Sequence, residues 1–173
     1  MSFSKIGYTK ASAQRVWKTC FAPMAWESWD PDLIGMKDVS GPCETGTTFT
    51  FIMKEGGKEF SSVIDEAEEN RYISFTSTIF CGCVKLTGEI ALNPQPDGGT
   101  EIEYGFETHG CLGYVCNLQT IPSSLSLQTH THTHTHTHRW IIAGAISKHI
   151  EEGVEGGLGN IIYISEEKMA NDF

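Results

Sequence analysis

The sequence predicts an α+β domain: a curved antiparallel sheet wrapped on a long C-terminal helix, with two short helices near the N-terminus. Three observations predict it. Apolar and polar residues alternate in successive runs from Ile34 to Thr108, the period of strands with one buried face. Turn-forming strings separate the runs: Gly56-Gly57, DEAEENR at 65–71 and NPQPDGG at 93–99. From Trp140 onward, Ile142, Ile146, Ile150, Val154, Leu158, Ile161 or Ile162, Ser165 and Met169 recur every three or four residues, as on one stripe of a helix.

Each element can be justified in chain order. Phe3 to Tyr8 is a short strand. Ser12 then caps a helix over Ala13 to Phe21, with Val16, Trp17 and Cys20 on one face. Pro23 and Pro31 bracket at most one further short helix, with Trp26 and Trp29 about a turn apart. Thr47 to Met53 turns Phe49, Phe51 and Met53 to one side, and Lys58 to Glu66 does the same with Phe60, Ser62 and Ile64. Tyr72 to Phe80 alternates again. Val84 to Leu92 points Val84, Leu86, Ile90 and Leu92 inward. Thr100 to Thr108 points Ile102, Tyr104 and Phe106 inward, leaving Glu101, Glu103 and Glu107 as a solvated face. The final helix carries Gly144, Gly153, Gly156, Gly157 and Gly159. Such glycines either bend a helix or make room beneath it.

The 173 residues suit a single domain, 1–173. A formal net charge of -10 argues against nucleic acid and anionic membrane as partners. MSFSKIGYTKASAQ has no apolar run of signal-peptide length, and no stretch approaches a membrane span, so a cytoplasmic protein is expected. Without a secretory context, the six cysteines are expected as thiols.

Five segments carry a resemblance: ASAQRVWKTCF, MAWESWDPDL, GTTFTFIM, VIDEAEENRYISFT and EEGVEGGLGNI. In this order they resemble the SRPBCC superfamily, the polyketide cyclase/dehydrase and lipid-transport proteins with a START-like helix-grip fold. The resemblance spans most of the chain except about 114–139. It implies a hydrophobic cavity between sheet and helix. Members bind lipids, sterols, polyketides or other apolar molecules; some are cyclases, many are not enzymes, and no universal catalytic residue carries over.

The inward residues agree with a cavity lined by Trp26, Trp29, Phe49, Phe51, Phe75 and Ser77, by Ile79, Leu86, Ile90, Ile102, Tyr104 and Phe106, and by Ile146, Ile150 and Val154 of the helix. The expected function is binding, or binding and transport, of a hydrophobic small molecule or lipid, with no cofactor. The C-terminal helix and the 26–33 segment would gate the cavity. An enzyme of the cyclase/dehydrase kind is the alternative. Tyr104 is its best inward polar side chain, and His149 of the helix a conceivable partner. A second alternative is metal. Pairing the last two strands through NPQPDGG would set position 83 near 108, gathering Cys81, Cys83, His109 and Cys111 at one rim.

The Thr-His tract, five pairs over 129–138, offers a further row of metal ligands. Its composition argues otherwise. Alternating A and C encodes Thr-His, and alternating T and C encodes the Ser-Leu pairs at 124–127. One compound dinucleotide repeat explains both. Gly113-Tyr114-Val115 admits a codon string containing GTATGT, like a splice donor. His138-Arg139 admits CACAGG, like an acceptor. Cutting between them removes whole codons and rejoins a glycine codon ahead of Trp140. The sequence therefore predicts a low-complexity, disordered insertion at about 114–139, as a translated intron or an expanded repeat.

Overall fold

The computed structural model describes residues 2–79, 82, 84–110 and 134–170, with backbone alone at 110, 134–147, 149 and 168–170. Seven strands form one antiparallel sheet: β1 (Ser2–Thr9), β2 (Leu33–Lys37), β3 (Thr48–Met53), β4 (Glu59–Glu68), β5 (Tyr72–Ile79), β6 (Val84–Pro94) and β7 (Thr100–Gly110). Their order is β1-β7-β6-β5-β4-β3-β2. Strands two to seven are a meander of consecutive hairpins, and the first strand closes onto the last. Register shifts at Leu33/Gly35 and at Ile64/Glu66 bend the strands in the way bulges do, and curl the sheet.

A helix over Ala13–Val16, α1, begins at the expected cap. The Ser12 hydroxyl accepts the Arg15 N–H. The helix widens to a π-helical turn at Trp17–Phe21. A single 3₁₀ turn, Trp26–Ser28, follows. The last helix, α2, runs from His134 to Ala170. It starts six residues ahead of Trp140, within the Thr-His tract; the rest of the expected insertion, 114–133, lies outside the described residues. The inner face of α2 is Val154, Leu158, Ile161 and Ser165, the predicted stripe.

Two details differ from the sequence reading. DEAEENR is not all turn: β4 continues through Glu68, and the reversal is confined to 69–71, with Asn70 at φ 65°, a conformation that asparagine tolerates. On β6 and β7, Leu86 rather than position 83 faces Thr108, and Val84 faces Gly110. The hairpin is tighter than the alternation suggested, because Pro94 and Thr100 still pair.

The core lies between sheet and helices. Phe21 packs on Trp26 and Trp29, Trp26 on Trp29, Phe49, Phe51 and Phe75, and Trp29 on Tyr104, ring to ring, at centroid distances of 5.0 to 6.4 Å. These are mostly the tilted and edge-on geometries that aromatic quadrupoles favour. Gly88 of β6 is covered by the Phe75 and Phe106 rings, where a Cβ would collide with both. α2 is tied to the end of β1 by polar contacts. The Thr9 and Ser165 hydroxyls are 3.2 Å apart, and Glu166 accepts from the Thr9 hydroxyl at 3.1 Å and from the Lys10 N–H at 2.9 Å. Among the described residues no helix is long and apolar enough to cross a membrane.

Candidate ligand cavity

A cavity of about 780 Å³ lies between the concave sheet and α2. The strands supply its apolar wall because alternation turns every second side chain inward. Phe51 and Met53 come from β3, Phe60 from β4, Phe75 and Ile79 from β5, Val84 and Leu86 from β6, and Phe106 from β7. α2 adds Ile150 and Gly153. Ser77 and Thr108 interrupt the wall. The Ser77 hydroxyl shares a 2.7 Å hydrogen bond with that of Ser62, which meets its need for a partner within an apolar wall.

Of the cavity residues read from the sequence, Phe51, Phe75, Ser77, Ile79, Leu86, Tyr104, Phe106 and Ile150 line this space. Trp26, Trp29, Phe49, Ile90, Ile102 and Val154 do not: they are buried in packed core beside it, none more than 2% exposed. Alternation says which face of a strand is covered, but not whether a side chain or a void covers it. For the tryptophans the reason is specific. Trp29 Nε1 donates to the Cys20 carbonyl at 2.9 Å and Trp26 Nε1 to the Phe21 carbonyl at 3.5 Å. Both indoles are thereby pinned to the π-helical turn. The side chains of Ile146 and His149 lie outside the described residues, so the Tyr104–His149 pair does too.

The polar end of the cavity comes from a segment that the sequence reading treated as a gate, with Trp29 but neither aspartate assigned to the cavity. Asp30, Asp32 and Leu33, from the WDPDL loop between the 3₁₀ turn and β2, line it together with Tyr104. The Asp32 N–H donates to Asp30 Oδ1 at 2.9 Å, closing a short side-chain turn. Burial pushes the Asp30 carboxyl up to about 6, the Asp32 charge pushes the same way, and the hydrogen bond from Asp32 opposes them. Burial also holds the Tyr104 phenol well above its ordinary range, with Asp30 and Asp32 adding to the effect. Tyr104 is therefore a neutral hydroxyl at any ordinary pH. At the rim, the β3–β4 turn contributes Lys54, Glu55 and Lys58. A sequence signal for the two acids existed: they are the only charges in SWDPDLIGM, an otherwise apolar or neutral stretch, and no alternation there assigns them to water.

The helix glycines make room. A Cβ on Gly153 would lie 2.5 Å from Asp32 Oδ2, one on Gly156 3.0 Å from Pro31 Cγ, and one on Gly157 3.1 Å from Tyr104 Cε1. The WDPDL loop and the Tyr104 ring thus pack directly on the helix backbone. Gly159, by contrast, faces open space.

Three of the four residues of the expected cysteine rim, Cys81, Cys83 and Cys111, lie outside the described residues. His109 Nε2 stands 3.2 Å from a Glu107 carboxylate oxygen on the exposed face. Among the described residues no group of three or more His, Cys, Asp or Glu could hold a metal ion. Cys20 and Cys43 are buried and unbridged. Burial, helped by the Glu44 charge, raises the Cys43 thiol to about 12, which suppresses the reactive thiolate.

No family model matches the chain, and no curated protein matches it in sequence. Solved structures do match. TTHA0849 from Thermus thermophilus superposes with a TM-score of 0.63 at 15% identity, over 97% of this chain and 99% of that one. Ara h 8.0201 gives 0.52 at 16% identity, over 91% of this chain and 97% of that one. XoxI from Bacillus cereus gives 0.56 at 11% identity, over 94% and 93%. At such identities the likeness is one of fold. A curled seven-stranded antiparallel sheet closed over a C-terminal helix, with a short helix near the N-terminus, is the helix-grip fold.

Proposed function

We propose that this protein binds an apolar small molecule or lipid in the cavity between sheet and α2. The observation that carries the reading is the cavity itself: about 780 Å³, walled mainly by Phe, Ile, Leu, Met and Val, with Asp30, Asp32 and Tyr104 together at one end. Volume and lining are those of a small-molecule site. Transfer of apolar ligand surface out of water, at about 25 cal/mol per Å², supplies the affinity, and the polar end sets orientation.

The test is titration with a neutral fluorescent hydrophobe, N-phenyl-1-naphthylamine. The wild type is expected to bind about one equivalent. Leu86→Trp, which fills the cavity from the β6 wall, is expected to bind at least tenfold more weakly while melting cooperatively. A wild type that does not bind, or a Leu86→Trp protein that binds equally well, would sink the reading.

One observation favours a second reading, chemistry of the cyclase/dehydrase kind. A buried phenol that stays protonated and a carboxyl raised to about 6 share one end of the cavity. There Tyr104 would donate to a substrate carbonyl and Asp30 would move a proton near neutral pH. Turnover of a polyketide-like ketone, lost in both Tyr104→Phe and Asp30→Asn, would favour it; ligand retention without turnover would not.

A further inference from the structure

The polar end of the cavity carries two carboxylates. Asp30 and Asp32 both face the space, and among the described residues neither forms an ion pair. Lys54, on the cavity wall, directs its ammonium to the Pro31 carbonyl at 3.3 Å. Lys58, in the same turn, is exposed. Among its described side chains, α2 presents only Ile150 and Gly153 to the cavity.

An independent observation points the same way. Tyr104 is 1% exposed overall, and its side chain lines the same end as the two aspartates. A buried hydroxyl ordinarily has a partner, and a buried carboxylate ordinarily has a cation. Asp30 and Asp32 are half-buried, and among the described residues neither has a cation within ion-pair distance. Both aspartates and Tyr104 have oxygens able to accept a hydrogen bond, and an ammonium has three donors and a positive charge.

We propose that the ligand is an apolar amine, with its cationic nitrogen seated between the Asp30 and Asp32 carboxylates and the Tyr104 hydroxyl and its hydrocarbon body along the strand wall. This rests on the cavity reading above and narrows it to a ligand class. The charge-assisted hydrogen bonds are stronger than neutral ones because the site is partly dry. The Tyr104 oxygen accepts from the nitrogen while its own proton remains to donate to a carboxylate. Phe106, whose ring centroid lies 5.3 Å from that of Tyr104, flanks the site.

The experiment is calorimetric titration of the full chain with dodecylamine, dodecanol and dodecanoate, each below its aggregation threshold. Dodecylamine is expected to bind at least tenfold more tightly than dodecanol, and dodecanoate most weakly. In Asp30→Asn/Asp32→Asn the amine-to-alcohol ratio is expected to fall to near one. Glu103→Gln, on the exposed face of β7, is expected to leave it unchanged. The inference is overturned if the alcohol matches the amine, if the ratio survives in the double variant, or if dodecanoate binds most tightly, which would make Lys54 and Lys58 the head-group site. In those cases apolar binding itself still stands. If none of the three binds, the cavity reading falls and takes this one with it.

Discussion

Gly153 of α2 stands against the Asp32 carboxylate so closely that a Cβ would come within 2.5 Å of Oδ2. Alanine elsewhere in a helix interior stabilises by about 1 kcal/mol over glycine. Gly159→Ala, in open space, is expected to show that gain in urea denaturation. Gly153→Ala is expected to show none of it, since the Asp32 side chain must turn away, and to weaken binding of an amine. Equal stabilisation by the two substitutions would contradict the contact.

The pH dependence of stability follows from Asp30. Its carboxyl is raised from 3.8 to about 6 in the folded protein. Between those values the folded state holds the proton more tightly than the unfolded chain, so this residue's contribution falls as pH rises through the window. At about 1.4 kcal/mol per unit, the penalty above the window reaches roughly 3 kcal/mol. Asp30→Asn keeps the Oδ1 acceptor for the Asp32 N–H and removes the charge. The variant is expected to differ little from wild type near pH 4 and to be more stable by roughly 3 kcal/mol near pH 7. Denaturant melts at both pH values check this; a difference that does not vary with pH would exclude it.

Trp26 is fully buried and packs against the rings of Phe21, Trp29, Phe49, Phe51 and Phe75. Trp26→Ala is expected to cost about 3–5 kcal/mol. Tyr163→Ala, at a site 63% exposed, is expected to stay within about 0.5 kcal/mol. Thermal denaturation followed by near-ultraviolet circular dichroism separates the two.

The Thr-His region yields a prediction of its own. We propose that residues 114–139 are dispensable to the fold, on the strength of the dinucleotide repeat that the codons imply. A chain joining Gly113 directly to Trp140 is expected to melt as cooperatively as the parent and to lose nickel or zinc binding due to the histidines. A deletion variant that fails to fold, with the far-ultraviolet signal of a random chain, would reject this.

The strands were legible because each half-buried strand writes its period into the sequence. Ile102, Tyr104 and Phe106 alternate with Glu101, Glu103 and Glu107, and the sheet places them accordingly. The inner stripe of α2, Val154 to Ser165, was legible for the same reason at a different period. The acidic end was not. Asp30 and Asp32 sit in an irregular loop, where no periodicity assigns a side chain to the inside. Their placement depends on Gly153 and Gly156, more than a hundred residues away in the chain. Nor could alternation separate Phe51, which lines the cavity, from Phe49, which does not, although both pack against Trp26. Both are inward on β3.

The pairing of β1 with β7, Ser2 opposite Glu107 and Thr9 opposite Thr100, has a consequence for the order of assembly. The hairpins from β2 to β7 join neighbours in sequence and close short loops. β1 cannot pair until β7 exists, and α2, which rests on Gly7 through Leu158 and Ile162, cannot dock until β1 is in place. Long-range closures of this kind are slow. During synthesis the apolar strand faces therefore wait, uncovered, for α2, which follows all the described strands. The same surface that can hold a ligand in the finished protein is, in the unfinished one, its greatest exposure to aggregation.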